Sequence, residues 1–398
     1  MAANLNTITI EEATDCLIDY RGKTPPKAEH GIRLVTAKVV KAGQIIEEPA
    51  EFIAEDYYNE WMRRGLPQKL DVLLTTEAPL GELAVLRGNE KIALAQRIIL
   101  LRAKSGLVDP LFLFYALQSD FGQAELRARS SGTTVLGIKQ SELRKVCIPI
   151  FPLPVQQRIA GILSPYDVLI ENSQRRIRIL ETTASLLFHE WFVNFRFPGH
   201  EKVRRVPSAL GEIPVAWQAR PLGKIATITM GLSPKGATYN EVGDGTPLIN
   251  GPVEFGERFT KRIKWTSAPT KLCKEGALVV CVRGSTTGKS VKSDGEYCLG
   301  RGVCSIESKY QAFVDLLFAM ELPTLLAQTG GSTFPSWTGP QLQSHLVLSP
   351  PNEVLNGFEK NVRPMSDLIA ILSRKIEGLR ITRDLLLPRL LSGQVELR

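Results

Sequence analysis

PYDVLIENSQRRIRILETTASLL (residues 165–187) and PMSDLIAILSRKIEGLRITRDLL (residues 364–386) are one pattern written twice. Adding 199 to Leu169, Ile170, Arg175, Ile177, Leu180, Thr183, Leu186 and Leu187 gives Leu368, Ile369, Arg374, Ile376, Leu379, Thr382, Leu385 and Leu386. The same offset of 199 links Gly132 to Gly331, Thr134 to Thr333, Leu143 to Leu342, Pro152 to Pro351 and Pro165 to Pro364. Further upstream the offset drifts: Val108–Phe112 answers Val314–Phe318 at 206, and Arg97 answers Arg301 at 204. Matches of glycine, proline and apolar residues at a constant step indicate an internal duplication.

Within each copy the apolar positions alternate steps of four and three. The first seam runs Tyr166, Ile170, Ser173, Ile177, Leu180, Ala184, Leu187, and the second Met365, Ile369, Leu372, Ile376, Leu379, Arg383, Leu386. A repeat of 3.5 residues makes a narrow stripe suited to pairing with another helix. Two stripes of matched phase in one chain are self-complementary, which predicts an antiparallel coiled coil with Ser173 and Arg383 as weak points; the alternative is that each helix packs on its own domain. Pro165 and Pro364 suit a first helical turn, where the missing N–H costs nothing. Each long helix is therefore expected to start there, after a short separate helix, and Pro388 to end or kink the second early. A helix of roughly 22 residues would be about 33 Å long, close to one turn of duplex DNA at about 34 Å.

Outside the helices lie mixed segments with short β-rich runs such as LDVLLTT (residues 70–76) and ALVVCV (residues 277–282), punctuated by Gly and Pro. The expected organisation is α+β, with mixed segments at 1–150 and 201–348 and helical segments at 151–200 and 349–398.

At 398 residues the chain exceeds the usual size of a single core. It is 43% hydrophobic and 23% charged, an ordinary globular composition that excludes a disordered or collagen-like chain. No apolar run approaches the roughly 20 residues of a membrane span, and MAANLNTITIEEATD has neither the basic start nor the apolar stretch of a secretory signal. The six cysteines form no C-x-x-C pair, so a reducing cytoplasm is expected rather than a disulfide scaffold or zinc ribbon. His30, His189, His200 and His345 are scattered and offer little support for a metal site. The balance of 49 basic against 41 acidic residues, +8 net, is compatible with nucleic acid but is weak evidence alone.

ALVVCVRGSTTGKS is the strongest candidate for catalytic chemistry. A phosphate-binding P-loop needs G-x-x-x-x-G-K-[ST], whereas Gly284 and Gly288 enclose three residues and the first copy has no equivalent. A nucleotide-hydrolysing enzyme built on Gly284–Ser290 is the alternative from another class, and a coiled-coil scaffold without a DNA role is a third. No N/D-P-P-Y/F tetrapeptide, nucleophile elbow or His-Glu-x-x-His pair occurs. Polar, basic, glycine-rich loops recur in both halves and carry the groups that reach phosphates and base edges. In the first half these are Arg21, Lys23, Lys38, Arg97, Arg129, Ser131, Thr133 and Thr134. In the second they are Lys235, Asn250, Arg283, Ser285, Thr286, Lys289, Arg301, Ser332 and Thr333.

With these residues in place, nearly the whole chain resembles a specificity subunit of a type I restriction–modification system. The resemblance rests on DYRGKTPP (19–26), SGTT (131–134) followed by IPIFPLPVQQRIAGIL (148–163), VRGSTTGK (282–289) and LLLPRLLSGQVEL (385–397), in that order. It implies two target recognition domains, each reading one half of a split asymmetric DNA sequence, with the helices as an antiparallel coiled-coil spacer. It also implies a non-catalytic subunit that docks methyltransferase and restriction subunits. S-adenosylmethionine, ATP and Mg²⁺ would belong to those partners. The second copy has STFPSW where the first has TTVLGI, which hints that the halves read different sequences.

Overall fold

The computed structural model describes residues 6–20, 24–329 and 335–392. The chain divides into two compact units, one built from Met1–Asn172 and Lys375–Arg398, the other from Ser173–Arg374. Both long helices contribute to both units.

In the first unit a four-stranded antiparallel sheet takes the order Thr14–Asp19, Ile98–Ala103, Val72–Thr76, Leu80–Val85. Beside it, Ile32–Val35 pairs parallel with Ile92–Leu94 and antiparallel with Phe52–Ile53. Thr7–Thr9 pairs with Cys147–Pro149. The helix Pro110–Gln118 starts where Asp109 accepts from the amides of Leu111 and Phe112, with proline in the first turn. Phe112 through Leu117 are all fully buried, so this helix is apolar on every side and threads the core.

The second unit repeats the plan. Its four-stranded sheet runs Thr227–Met230, Val303–Glu307, Leu278–Cys281, Ser290–Lys292. Thr246–Ile249 pairs parallel with Tyr297–Leu299, Gln218–Pro221 pairs with Leu346–Ser349, and the helix Gln311–Ala327 takes the place of Pro110–Gln118. The duplication read from sequence is thus a duplication of topology.

Two helical expectations are corrected. The short and long helices are continuous: Leu153–Phe188 is one helix of 36 residues and Asn352–Leu391 one of 40, with Pro165 inside the first. Pro364 is likewise internal, and the second helix runs past Pro388 to Leu391 rather than ending there. A mid-helix proline removes one N–H and crowds the carbonyl four residues back. All three prolines are exposed, as are Gly161, Lys360 and Asp384 four residues earlier, so the prolines lie on the solvent-facing sides of their helices, where water can bind an orphaned carbonyl. At about 1.5 Å per residue the helices are about 54 and 60 Å long, well beyond the expected 33 Å.

The seam is narrow, as its period requires. Ile170, Ser173, Ile177 and Ala184 are buried on the first helix, and Leu372, Ile376 and Arg383 on the second. Leu180, Leu187, Ile369, Leu379 and Leu386 are half-buried, while Val168, Leu169, Ile179, Leu186, Ile371, Ile381 and Leu385 are exposed. Within the first unit Ile159 and Leu163 share a core with Leu387, Leu390 and Leu391, and Asp167 meets Arg383, so the helices pair antiparallel. That core also contains Ile99, Leu101 and Phe112, so the helix pair packs on its own sheet as well. In the second unit Ala184, Phe188 and Phe192 meet Phe313, Phe358 and Val362 in an aromatic cluster.

Arg383 is no soft spot. Its guanidinium donates to Asp167 Oδ1 at 2.7 Å and to Asp384, and Asp167 Oδ2 accepts from the Tyr115 hydroxyl at 2.5 Å. Burial pushes the guanidinium's pKa down, but the hydrogen bonds and charges of Asp167 and Asp384 more than offset that and hold it above its ordinary value. Burial, together with the neighbouring Asp167 charge, raises the Tyr115 phenol.

Candidate nucleic-acid interface

The parallel strand pairs decide where the polar loops emerge. Because Ile32–Val35 and Ile92–Leu94 run the same way, the turns after them leave from one edge of the sheet. Exposed Lys38 follows the first and exposed Arg97 the second. In the second unit Asn250 follows Thr246–Ile249, and Gly300–Arg301 follows Tyr297–Leu299. Gly300 donates to the carbonyl of Ile249 at 2.7 Å, and a Cβ there would lie 2.0 Å from Asn250 Oδ1, so any larger residue would have to displace the Asn250 side chain. The Arg301 amide donates to Ser233 Oγ at 3.2 Å, which brings the loop carrying exposed Lys235 to the same edge.

Register amends one sequence correspondence. Ile98 pairs with Thr75 and Val303 with Cys281, so this strand follows an offset of 205 (98 to 303), not 204. Arg97 and Arg301 sit in the same strand-to-strand turn but one position apart.

A second loop closes against this edge in both units. In the first, the amide of Ile138 donates to the carbonyl of Thr76 at 3.0 Å, and Glu77 bridges Gly137. Ser131 and Gly137 exchange both backbone hydrogen bonds, at 2.8 and 2.9 Å, tying off a loop that exposes Ser131, Thr133, Thr134, Val135 and Leu136. Gly132 makes this turn at φ +116, where a Cβ would strike the Val135 carbonyl at 2.2 Å. In the second unit the amide of Trp337 donates to the carbonyl of Val282 at 2.9 Å, and Arg283 bridges Ser336.

The first-unit loops enclose a concavity of about 470 Å³ lined by Thr76, Glu77, Gln96, Arg97, Ser131 and Lys139. Arg97 Nε lies 2.7 Å from Glu77 Oε1. Of the expected site residues, Arg97, Ser131, Thr133 and Thr134 lie at this place, with Lys38 on the same sheet edge. Arg129 is turned toward its own helix, 3.4 Å from Glu125. Asn250, Arg283, Ser285, Thr286 and Arg301 belong to the corresponding loops of the second unit, and Lys289 is exposed where the hairpin re-enters the sheet. Arg21, Lys23, Ser332 and Thr333 lie outside the described residues.

The Gly284–Ser290 segment does not form a P-loop. It joins two antiparallel strands, Leu278–Cys281 and Ser290–Lys292, instead of leading into a helix. Three of its amides bond within the turn, Thr287 to Gly284, Gly288 to Cys281 and Lys289 to Thr286, and the Gly284 amide donates to the Pro335 carbonyl. Thr287 Oγ1 also binds the carbonyl of Pro335 at 2.8 Å. The segment therefore lacks the strand-to-helix turn whose successive N–H groups cradle a phosphate.

The sequence reading missed Glu77, because a lone carboxylate does not look like a nucleic-acid contact. Its one signal is the repeat: an offset of 206 places it on Arg283. It also missed the Tyr115–Asp167–Arg383 network. Among the described residues no cluster of His, Cys, Asp and Glu could hold a metal ion. No helix is long and apolar enough to cross a membrane.

Residues 22–182 match the family model described as Type I restriction modification DNA specificity domain. The type I restriction enzyme MjaIX specificity subunit of Methanocaldococcus jannaschii is 27% identical over 86% of this chain and 81% of its own length. The MjaVIII specificity subunit of the same organism is 24% identical over 94% of this chain and 96% of its own. The crystal structure of a type I restriction–modification system S subunit from M. genitalium has the same fold, with a TM-score of 0.64 at 16% identity, covering 97% of this chain and 96% of that one. The duplicated topology and the paired helices agree with these comparisons: residues 22–182 match the specificity-domain model, and the chain as a whole is similar to type I restriction–modification specificity subunits.

Proposed function

We propose that this chain binds duplex DNA at a bipartite, asymmetric sequence, each unit reading one half, and directs methyltransferase and endonuclease subunits to it. The observation that carries the reading is that one polypeptide builds the same strand-end and loop constellation twice and furnishes the two copies with different side chains. Exposed Arg, Lys, Ser and Thr at such positions are the groups that contact phosphates and base edges. Half-site geometry then follows from the protein, as it does in dimeric readers.

The chain itself is non-catalytic, works in the cytoplasm, and leaves S-adenosylmethionine, ATP and Mg²⁺ to its partners. Methyltransferase subunits dock on the helices. The exposed apolar residues support this: Val168, Leu169, Ile381 and Leu385 in the first unit, and Ile179, Leu186 and Ile371 in the second.

Mapping methylated bases in cells carrying this chain with its methyltransferase partner tests the reading: a split, asymmetric motif is expected, and an unsplit or absent motif overturns it. Inserting one heptad into both helices in phase is expected to lengthen the tolerated gap.

A further inference from the structure

Two independent registers put Glu77 and Arg283 at the same place in their units. Along the sheet, Thr75 and Cys281 are equivalent, because each pairs with the first residue of the strand after the Arg97 or Arg301 turn. Two residues on are Glu77 and Arg283. Across the loop, Ile138 bonds Thr76 and Trp337 bonds Val282, while Glu77 bridges Gly137 and Arg283 bridges Ser336. The loop partners are 199 apart in both cases. One structural position therefore carries a carboxylate in the first unit and a guanidinium in the second.

The surroundings differ to match. Glu77 is half-buried and holds Arg97, so the first unit presents an acceptor beside a donor. Arg283 is exposed and forms no ion pair or side-chain hydrogen bond with any described residue, and the turn opposite it carries a second arginine, Arg301. At this position the second unit presents a donor with no carboxylate paired to it among the described residues.

In the major groove a carboxylate accepts from the amino group of cytosine, whereas a guanidinium donates to O6 and N7 of guanine. We infer that Glu77 and Arg283 are the equivalent specificity-determining residues of the two units, Glu77 reading an amino-bearing base edge in one half-site and Arg283 a guanine in the other. This rests on the proposed function and adds the chemistry that makes the target asymmetric.

The test uses the complete complex of this chain with its methyltransferase partner. Methylated motifs are compared for the unsubstituted complex, Glu77→Gln and Arg283→Gln. Glu77→Gln is expected to relax or change one base of one half-site and leave the other half intact, and Arg283→Gln to act on the opposite half. The preference at the affected position should fall about 5- to 150-fold, as expected for losing one good base contact. Motifs unchanged in both variants, or the same half altered by both, overturn the inference while leaving the split-target function standing. An unsplit motif from the unsubstituted complex overturns the function and the inference with it. Where a variant methylates nothing, competition binding with duplexes exchanged one base pair at a time replaces the methylation readout. Equal weakening against every duplex identifies a backbone or folding contact and overturns the assignment.

Discussion

Replacing Asp167 with alanine removes the carboxylate shared by Arg383 Nη1, at 2.7 Å, and the Tyr115 hydroxyl, at 2.5 Å. Tyr115 is fully buried and Arg383 is 8% exposed, so neither recovers its partner from bulk water. Stripping one member from a buried ion pair costs roughly 3–5 kcal/mol, and orphaning a buried hydroxyl about 1–3. Asp384 keeps its two bonds to Arg383, but its side chain is 63% exposed and only partly compensates. The expected loss is therefore at the lower end, about 3–4 kcal/mol in total. For a unit of this size, about 2–4 °C per kcal/mol translates this into a Tm fall of roughly 6–16 °C for the first unit's transition.

The second copy supplies the control. The positions equivalent to Asp167 and Arg383 are Ser366 and Ala184, an offset of 199 each way, and they carry no charge. Asp167→Ser combined with Arg383→Ala removes the buried guanidinium along with its partner. The double variant should consequently be more stable than Asp167→Ala alone, with strong non-additivity between its two changes. Thermal denaturation of wild type, Asp167→Ala, Asp167→Ser, Arg383→Ala and the double variant, followed in parallel by circular dichroism and calorimetry, measures this. A Tm within about 2 °C of wild type for Asp167→Ala, or a double variant losing the sum of its singles, refutes the argument that the network holds the first unit to its helix pair.

Thiol chemistry offers a test of burial. Burial pushes the Cys304 thiol up to about 12 and Cys273 up to about 11, so at pH 8 both are protonated and shielded. A thiol reagent should label half-buried Cys16 and Cys147 first and reach Cys273 and Cys304 only in denaturant; rapid native labelling of Cys304 contradicts the fold. Lys38→Ala and Lys235→Ala should each flatten the salt dependence of duplex binding by about one unit of slope, as loss of one phosphate contact requires. Arg283→Ala should weaken binding without touching any ATP turnover by the isolated chain, and turnover lost in that variant would revive the nucleotide-site reading.

The coiled-coil pairing was legible from residues 165–187 and 364–386 together, because heptad spacing is a local property of each stretch and the two seams match in phase. So was the duplication, since copies of one fold keep their glycines, prolines and apolar positions. The helix boundaries were not. Whether Pro165, Pro364 and Pro388 interrupt a helix depends on whether water reaches the carbonyls they orphan, and that is set by which face lies outward. Arg383 looked like a flaw because its partners, Asp167 and Tyr115, are far away in sequence and arrive only through packing. Glu77 came to light for the same reason: strand register and the closing loop, both long-range pairings, bring it into correspondence with Arg283. Periodicity and repetition are written along the chain, whereas register and burial exist only once distant segments have met.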